Sequence, residues 1–193
     1  MHINKQMYDF VINLLKTKIP ASYCYHNYEH HEYVINKAIE IGEQENCSEK
    51  ELELLSAAAL WHDTGYINTY KGHEEESCKL ARQYLPGYGY TTNDIDMIVD
   101  MIMATKIPQS SKNKLEEIMA DADLEYLGTG DAATKADLLY QELRSLDPAL
   151  TQQQWNKTEI SFLQQHRYFT TYCKQTKEPL KQAYLDKLLN AIP

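Results

Sequence analysis

The sequence is poor in glycine and proline, with 7 glycines and 6 prolines among 193 residues. This scarcity favours long helices over many short strands joined by tight turns. The four cysteines, Cys24, Cys47, Cys78 and Cys173, are widely spaced and form no Cys-x-x-Cys motif, so we expect reduced thiols rather than a disulfide framework or a zinc knuckle. Otherwise 43% of the residues are hydrophobic and 24% are charged, which excludes a disordered or collagen-like chain.

Positive charge is also in short supply, because 19 Lys and Arg residues stand against 28 Asp and Glu residues for a net charge of −9. This balance weighs against nucleic acid or an anionic membrane as the partner and favours a small molecule. No apolar run reaches the roughly 18 residues of a membrane span, and the first ten residues do not resemble a signal peptide. We therefore expect a cytoplasmic protein; an oligomer is compatible with the sequence.

Hydrophobic residues recur at helical spacing along the chain. Met7, Val11 and Leu15 share one face of a first helix that ends before Pro20. Since no segment has the pattern of a strand and the length suits one core, we predict a single all-α domain, a helical bundle over residues 1–193. The other predicted helices cover about 27–42, 48–65 (with Ser48 and Glu51 as a capping box), 73–84, 93–104, 112–127, 132–146, 152–174 and 179–191.

Five histidines lie among carboxylates in the first part of the chain: His26, His30, His31, His62 and His73. His26 and His30 are four residues apart and share one helical face, whereas His31 is turned about 100° from His30. His26 and His30 can therefore contribute to one site. We expect His31 to face solvent or to pack elsewhere.

Carboxylates interrupt two apolar helical segments. His62 and Asp63 follow the apolar stretch 54–61, where a bare carboxylate is costly unless a cation or hydrogen bonds compensate it. The pair also fits a simple helix end, since an imidazole is favourable at a helix C-terminus. Asp121 and Asp123 interrupt the segment around Met119, and Asp123 lies next to the inward stripe. We expect Asp123 to be the better-buried carboxylate and Asp121 to be solvated.

Together, His30, His62, Asp63 and Asp123 provide two imidazoles and two carboxylates. This mixed set suits one divalent metal ion, Mn, Fe, Co, Ni, Zn or Mg, with water in the remaining positions. Such a site activates water for hydrolysis.

The segment YHNYEH (25–30), the pair HD (62–63) and the segment ADL (122–124) follow one another in the order H…HD…D. Over about residues 20–130 this pattern resembles the HD-domain metal-dependent phosphohydrolase superfamily. The resemblance implies a helical bundle of the HD type, with residues 131–193 packed onto the motif core. It also implies the same four metal ligands, and a small phosphate ester or nucleotide as the substrate.

Roles for further residues come from the same resemblance and from the chemistry of phosphate. His26 resembles a histidine that contacts phosphate or protonates the leaving group, and Asp63 is placed to accept a proton from water. His73 lies in HEEES (73–77), which resembles a segment that supplies extra ligands in multi-metal members. No second histidine pair follows it, so we expect one metal, with His73 in contact either with a metal ligand or with the substrate. Lys106 is a candidate phosphate contact.

Two other functions fit parts of the pattern. His26 to His30 also reads H-x-x-E-H, a zinc peptidase motif, although this leaves Asp63 and Asp123 unexplained. A non-catalytic module that binds metal and senses a nucleotide or phosphate fits the same residues. Turnover of a substrate panel would separate it from an enzyme.

Overall fold

Helices make up the regular structure in the computed structural model, which describes residues 2–191 and has no strand in that range. The helices of that range are α1 (Lys5–Lys18), α2 (Tyr28–Gln44), α3 (Glu49–Trp61), α4 (His73–Tyr84), α5 (Thr92–Ala104), α6 (Lys114–Asp123), α7 (Ala132–Leu146), α8 (Gln152–Gln165), α9 (Thr171–Thr176) and α10 (Glu178–Ala191). Short 3₁₀ turns follow α3, α4 and α6 at Thr64–Ile67, Leu85–Tyr88 and Glu125–Gly128. The all-α prediction is confirmed. None of these helices combines the length and apolarity of a membrane span.

Side-chain caps fix where two site-bearing helices begin. The Asn27 side-chain oxygen accepts the backbone N–H groups of Glu29 and His30 at 2.9 and 3.3 Å, so α2 starts directly after Asn27. His30 therefore lies in the first turn of α2. Ser48 and Glu51 form the predicted capping box at the start of α3. A cap of this type stabilises a helix by about 1 kcal/mol.

The end of α3 delivers two polar side chains into the interior. α3 ends at Trp61, before the predicted stop at Gly65, and His62 and Asp63 connect it to the first 3₁₀ turn. In this turn a Cβ on Gly65 would lie 2.0 Å from the backbone carbonyl oxygen of His73. Glycine is therefore required for the turn to lie against the start of α4.

The main core lies between the helices that carry the site. α2 packs against α3 and α6, and α5 packs against α3, α4 and α6. Trp61 is fully buried here, and its indole N–H donates to Met7 Sδ at 3.4 Å. Because large buried side chains fill the space between these helices, the start of α2 and the ends of α3 and α6 are held close together.

The predicted helix 152–174 is wrong, because irregular chain at 166–170 separates α8 from α9. Lys181 of α10 is fully buried and donates to the carbonyl oxygen of His166 at 2.6 Å. Thr170 then accepts the backbone N–H of Cys173 at 3.2 Å and caps α9. Tertiary partners therefore replace the helical hydrogen bonds in this segment.

Asp121 of α6 holds the same irregular segment. Its carboxylate accepts the backbone N–H of Phe169 at 2.9 Å, and the N–H and hydroxyl of Thr170 at 2.8 and 2.7 Å. Asp121 is fully buried, whereas Asp123 keeps 15% of its side chain exposed. Both expectations, a solvated Asp121 and a better-buried Asp123, are wrong, because three donors compensate the buried Asp121 carboxylate.

Candidate metal centre

Three chain segments bring the predicted ligands together. His30 comes from the first turn of α2, His62 follows α3, and Asp123 is the last residue of α6. His30 Nε2 lies 3.3 Å from His62 Nε2 and 3.2 Å from Asp123 Oδ1, and His62 Nε2 lies 3.4 Å from the same oxygen. One ligand atom from each of the three residues lies within 4.8 Å of the other two. This spacing could hold a metal ion.

Asp63 approaches the same point from one side. Its Oδ2 lies 3.2 Å from His62 Nε2 and 3.6 Å from His30 Nε2, while its Oδ1 lies 3.3 Å from His73 Nε2. Asp63 thus reaches both imidazoles of the three-residue group and links them to α4. We call the four residues His30, His62, Asp63 and Asp123 the HD cluster.

The donor set of the HD cluster fits a divalent cation. His62 Nδ1 lies 2.8 Å from the carbonyl oxygen of Ala59, which leaves its Nε2 as the nitrogen that faces the cluster. His30 Nε2 faces the same point, so two imidazole nitrogens and two carboxylates converge in a buried place. Within residues 2–191 no Lys or Arg forms an ion pair with Asp63 or Asp123. A bound cation would supply the missing positive charge.

At most residues of the HD cluster, charge interactions and hydrogen bonds shift the pKa more strongly than burial does. Burial would lower the pKa of His62, but the charge of Asp63 and hydrogen bonds to both carboxylates raise it well above its usual value. Burial would raise the pKa of Asp63, but the charge of His62 holds it well below the usual range. At His30 burial dominates and lowers the pKa. The carboxylates stay ionised, which is the form that binds a cation, and a bound cation would take the place of the proton on His62, because an imidazole binds metal only in its neutral form.

His31 packs behind the cluster rather than in it. The residue is fully buried, its Nδ1 lies 2.9 Å from the carbonyl oxygen of Leu60, and its ring centroid lies 5.0 Å from that of His62. Of the two expected placements, the solvent-facing one is wrong and packing away from the ligands is correct.

His26 is held by a carboxylate that the sequence analysis missed. His26 Nδ1 lies 2.5 Å from Glu142 Oε1, and Glu142 Oε2 accepts the backbone N–H groups of Tyr25 and His26 at 2.9 and 3.0 Å. Glu142 is fully buried and also accepts the Tyr70 hydroxyl at 3.1 Å. Burial would raise the pKa of Glu142, but the hydrogen bond and charge of His26 lower it. An ionised Glu142 therefore fixes the His26 ring with Nε2 pointing away from it.

Tyr66 lies between two of the predicted functional histidines. Its ring stacks on His26 at a centroid distance of 4.3 Å and on His73 at 4.0 Å, and its hydroxyl lies 3.2 Å from His26 Nε2. Burial, followed by the charge of Asp63, raises the pKa of Tyr66, so the hydroxyl keeps its proton. Tyr66 thus contributes a neutral hydroxyl, able to donate or to accept a hydrogen bond, at the edge of the cluster.

A cavity of about 390 Å³ opens over this site. Its polar end is lined by His26, Asp63, His73 and Asp123, together with Tyr66. Its other end is lined by apolar residues of α7 and α8: Ala136, Leu139, Leu143, Trp155, Phe162 and Leu163. The volume falls within the range of about 300–1,000 Å³ usual for small-molecule pockets.

Lys106 does not join the other predicted site residues. Its ammonium group pairs with Glu75 of α4, and its neighbours Thr105 and Ile107 line the cavity instead. In this arrangement the Lys106 side chain turns toward α4, and its contact with phosphate stays a prediction.

The sequence contains only weak indications of the roles of Tyr66 and Glu142, and these indications lie in their spacing from other residues. Tyr66 lies four residues after His62, the spacing of neighbours along a helix or turn. Glu142 follows Leu138 by four residues and Leu139 by three, so it lies on an apolar side of the predicted helix 132–146. A carboxylate in that position indicates a buried partner, but nothing in the sequence identifies His26 as that partner.

Comparison with known proteins relates this chain to one sequence family and to two solved structures. The sequence profile of the HD domain family matches residues 27–125. A predicted HD superfamily hydrolase from an uncultured Thermotogales bacterium is 17% identical, with a TM-score of 0.62 over 94% of this chain and 88% of its own. Bacillus subtilis YpgQ, solved in complex with ADP, is 18% identical, with a TM-score of 0.65 over 98% of this chain and 94% of its own. No protein with a curated description matches the sequence.

Proposed function

This chain belongs to the HD domain family, and we propose that it is a metal-dependent phosphohydrolase for a small phosphate ester or nucleotide. The observation that carries the proposal is the buried HD cluster at the polar end of a cavity large enough for such a substrate. We propose one divalent ion held by His30, His62, Asp63 and Asp123.

A divalent cation at this site supplies Lewis-acid activation of water and of a phosphoryl oxygen. Asp63 then has a second role, because its Oδ1 lies 3.3 Å from His73 Nε2 and lines the cavity. From this position Asp63 can take the proton of the attacking water as a general base, while His73 holds the carboxylate in place.

His26 is proposed as the proton donor to the departing oxygen. Its Nδ1–H donates to Glu142, which leaves Nε2 as the nitrogen directed away from Glu142, and its ring centroid lies 6.0 Å from that of His30. A phosphoryl group bound at the cluster would then be within reach of Nε2. Tyr66 orients the ring by stacking and by its contact with the same nitrogen.

Residues 131–193 are proposed to be part of the same functional domain. α7 supplies Glu142 behind His26, and α7 and α8 supply the apolar wall of the cavity. The relatives are consistent with this activity, since one is called a predicted hydrolase and YpgQ is in complex with a nucleotide. We therefore expect a phosphorylated small molecule, with nucleotides among the candidates, rather than nucleic acid.

The test compares two histidine variants for metal content and for phosphate release from aryl phosphates and nucleotides. His30→Ala should lose both metal and turnover, whereas His26→Ala should keep the metal and lose turnover. Equal metal loss in the two variants would favour the H-x-x-E-H peptidase. Metal-loaded wild-type protein that shows ligand-dependent thermal shifts but releases no phosphate would favour the sensing module.

A further inference from the structure

The cavity above the HD cluster has two chemically different ends. At the polar end lie the two carboxylates of the cluster with His26 and His73, while the far end is a chamber between α7 and α8. We call this far end the apolar chamber; the residues that define it are Ala136, Leu139, Leu143, Trp155, Phe162 and Leu163. Nothing in the hydrolytic step just described uses it.

Charge at the cavity wall opposes a polyphosphate. No Lys or Arg is among the described residues that line the cavity, and Glu74 and Glu159 add to the two carboxylates of the cluster. A single phosphate can be neutralised by one divalent cation. A second or third phosphate beyond the reach of His26 and His73 would face carboxylates or hydrocarbon without a Lys or Arg partner, which is costly wherever the cavity wall limits its hydration.

Polar groups that could bind a sugar or a base are also scarce in the apolar chamber. Glu159 lies at its wall, but its carboxylate already accepts the Tyr184 hydroxyl at 2.5 Å. The other side chains there are aliphatic or aromatic, apart from Thr158, which lies at an exposed position. At the rim, Ile107 is 57% exposed and extends the apolar surface outward.

We propose that the apolar chamber binds the alcohol part of the substrate, and that the preferred substrate is a phosphate monoester of an apolar, alkyl or aryl, alcohol rather than a nucleoside di- or triphosphate. This inference rests on the proposed function for the position of the phosphate. The phosphoryl group lies at the HD cluster next to His26, and the hydrocarbon extends between Trp155 and Phe162 toward Leu139. Hydrolysis adds one water, breaks the P–O bond, releases inorganic phosphate and returns the proton to the alcohol oxygen.

Calorimetric binding of n-alkylphosphonates to the metal-loaded protein tests the inference without requiring turnover. From butyl to octyl, affinity should rise about two- to fourfold per methylene, since each buried methylene is worth up to about a factor of four. Methylene diphosphonate should bind no more tightly than methylphosphonate. An affinity that does not change with chain length, or tighter binding of the diphosphonate, would overturn the inference.

A pair of α7 variants locates the binding to the apolar chamber. Ala136 is buried and lines the chamber, whereas Ala133 is on the exposed side of the same helix. Ala136→Leu should reduce the ratio of octyl to methyl affinity roughly tenfold, because the added atoms fill the space of the chain. Ala133→Leu should keep the wild-type ratio. The same ratio in both variants would place the hydrocarbon elsewhere.

Failure of the proposed function would give a different result. If alkylphosphonates bind with the expected chain-length dependence but no phosphate ester is hydrolysed, the inference about the apolar chamber is correct and the proposed hydrolase activity is wrong. If methyl, octyl and nucleotide esters are all hydrolysed and octyl phosphate has no advantage in kcat/KM, the proposed hydrolase activity is correct and the inference about the apolar chamber is wrong.

Discussion

Asp121 and Asp123 lie two residues apart on α6, and the same change to asparagine should affect a different property at each position. At Asp121 it should lower the stability of the fold, and at Asp123 it should lower the affinity for metal. Asp121→Asn keeps one acceptor oxygen and replaces the other with an NH2 group that accepts nothing, so either the Phe169 N–H or the two donors of Thr170 lose their acceptor. Hydrogen bonds to a charged group contribute about 1.5–3 kcal/mol, and an unmatched buried donor adds to the loss, so we expect a destabilisation of about 2–4 kcal/mol. For a chain of this size that lowers the Tm by roughly 4–16 °C.

Asp123→Asn should instead affect metal binding. Its Oδ1 lies 3.2 and 3.4 Å from the two imidazole nitrogens, and the amide removes both the charge and a strong ligand. Metal affinity should fall by at least roughly one to two orders of magnitude, the range reached by changes next to a ligand.

Thermal melts of the chelated proteins and metal titrations of both variants measure the two effects separately. Asp121→Asn should melt early and bind metal like the wild type, whereas Asp123→Asn should bind metal weakly and melt near the wild-type temperature when chelated. If Asp121→Asn loses metal affinity as strongly as Asp123→Asn, our assignment of the two carboxylates is refuted.

Three further predictions concern the metal, the His26 pair and acid stability. Removing the metal with a chelator should abolish hydrolysis and lower the Tm, since a ligand at 100 times its Kd stabilises the fold by about 2.7 kcal/mol; an unchanged Tm would contradict this. Glu142→Gln should keep the metal and lower kcat roughly tenfold or more, because His26 loses the carboxylate that orients its ring, whereas Asp137→Asn on the exposed side of α7 should leave kcat unchanged. Burial, followed by the charge of Lys181, lowers the pKa of His166 to about 3, against about 6.5 in the unfolded chain. The unfolded state therefore binds one more proton between about pH 6.5 and pH 3, and the free energy of unfolding falls as the pH drops, by about 1.4 kcal/mol per unit from this group in the middle of that window. Urea unfolding from pH 4 to 7 should show a shallower slope for His166→Asn; an equal slope would mean that the group titrates normally.

The sequence predicted elements whose boundaries depend on local signals. The helices 73–84 and 132–146 have the expected bounds, and Ser48 and Glu51 cap α3 as expected. In each case helical periodicity or a cap acts within a few residues, so no distant partner is needed. The all-α class followed from the same local patterns and is confirmed.

Errors arose where distant partners decide the structure. The break at 166–170 depends on Lys181 and on Asp121. Asp121 lies 48 residues before Phe169 and accepts its backbone N–H, which a helix would otherwise pair. Glu142 is 116 residues from His26, and helical spacing indicates a buried face but not what covers it. The order H…HD…D was sufficient to select four residues that the structure brings together, and their role as ligands remains a prediction.

Phosphate release during stepwise metal addition to chelated protein tests the central claim most directly. We expect no release without metal, a linear rise as a divalent ion is added, and a plateau at one equivalent per chain. Full activity in the chelated protein, or no release from any phosphate ester at saturating metal, would contradict a single-metal phosphohydrolase.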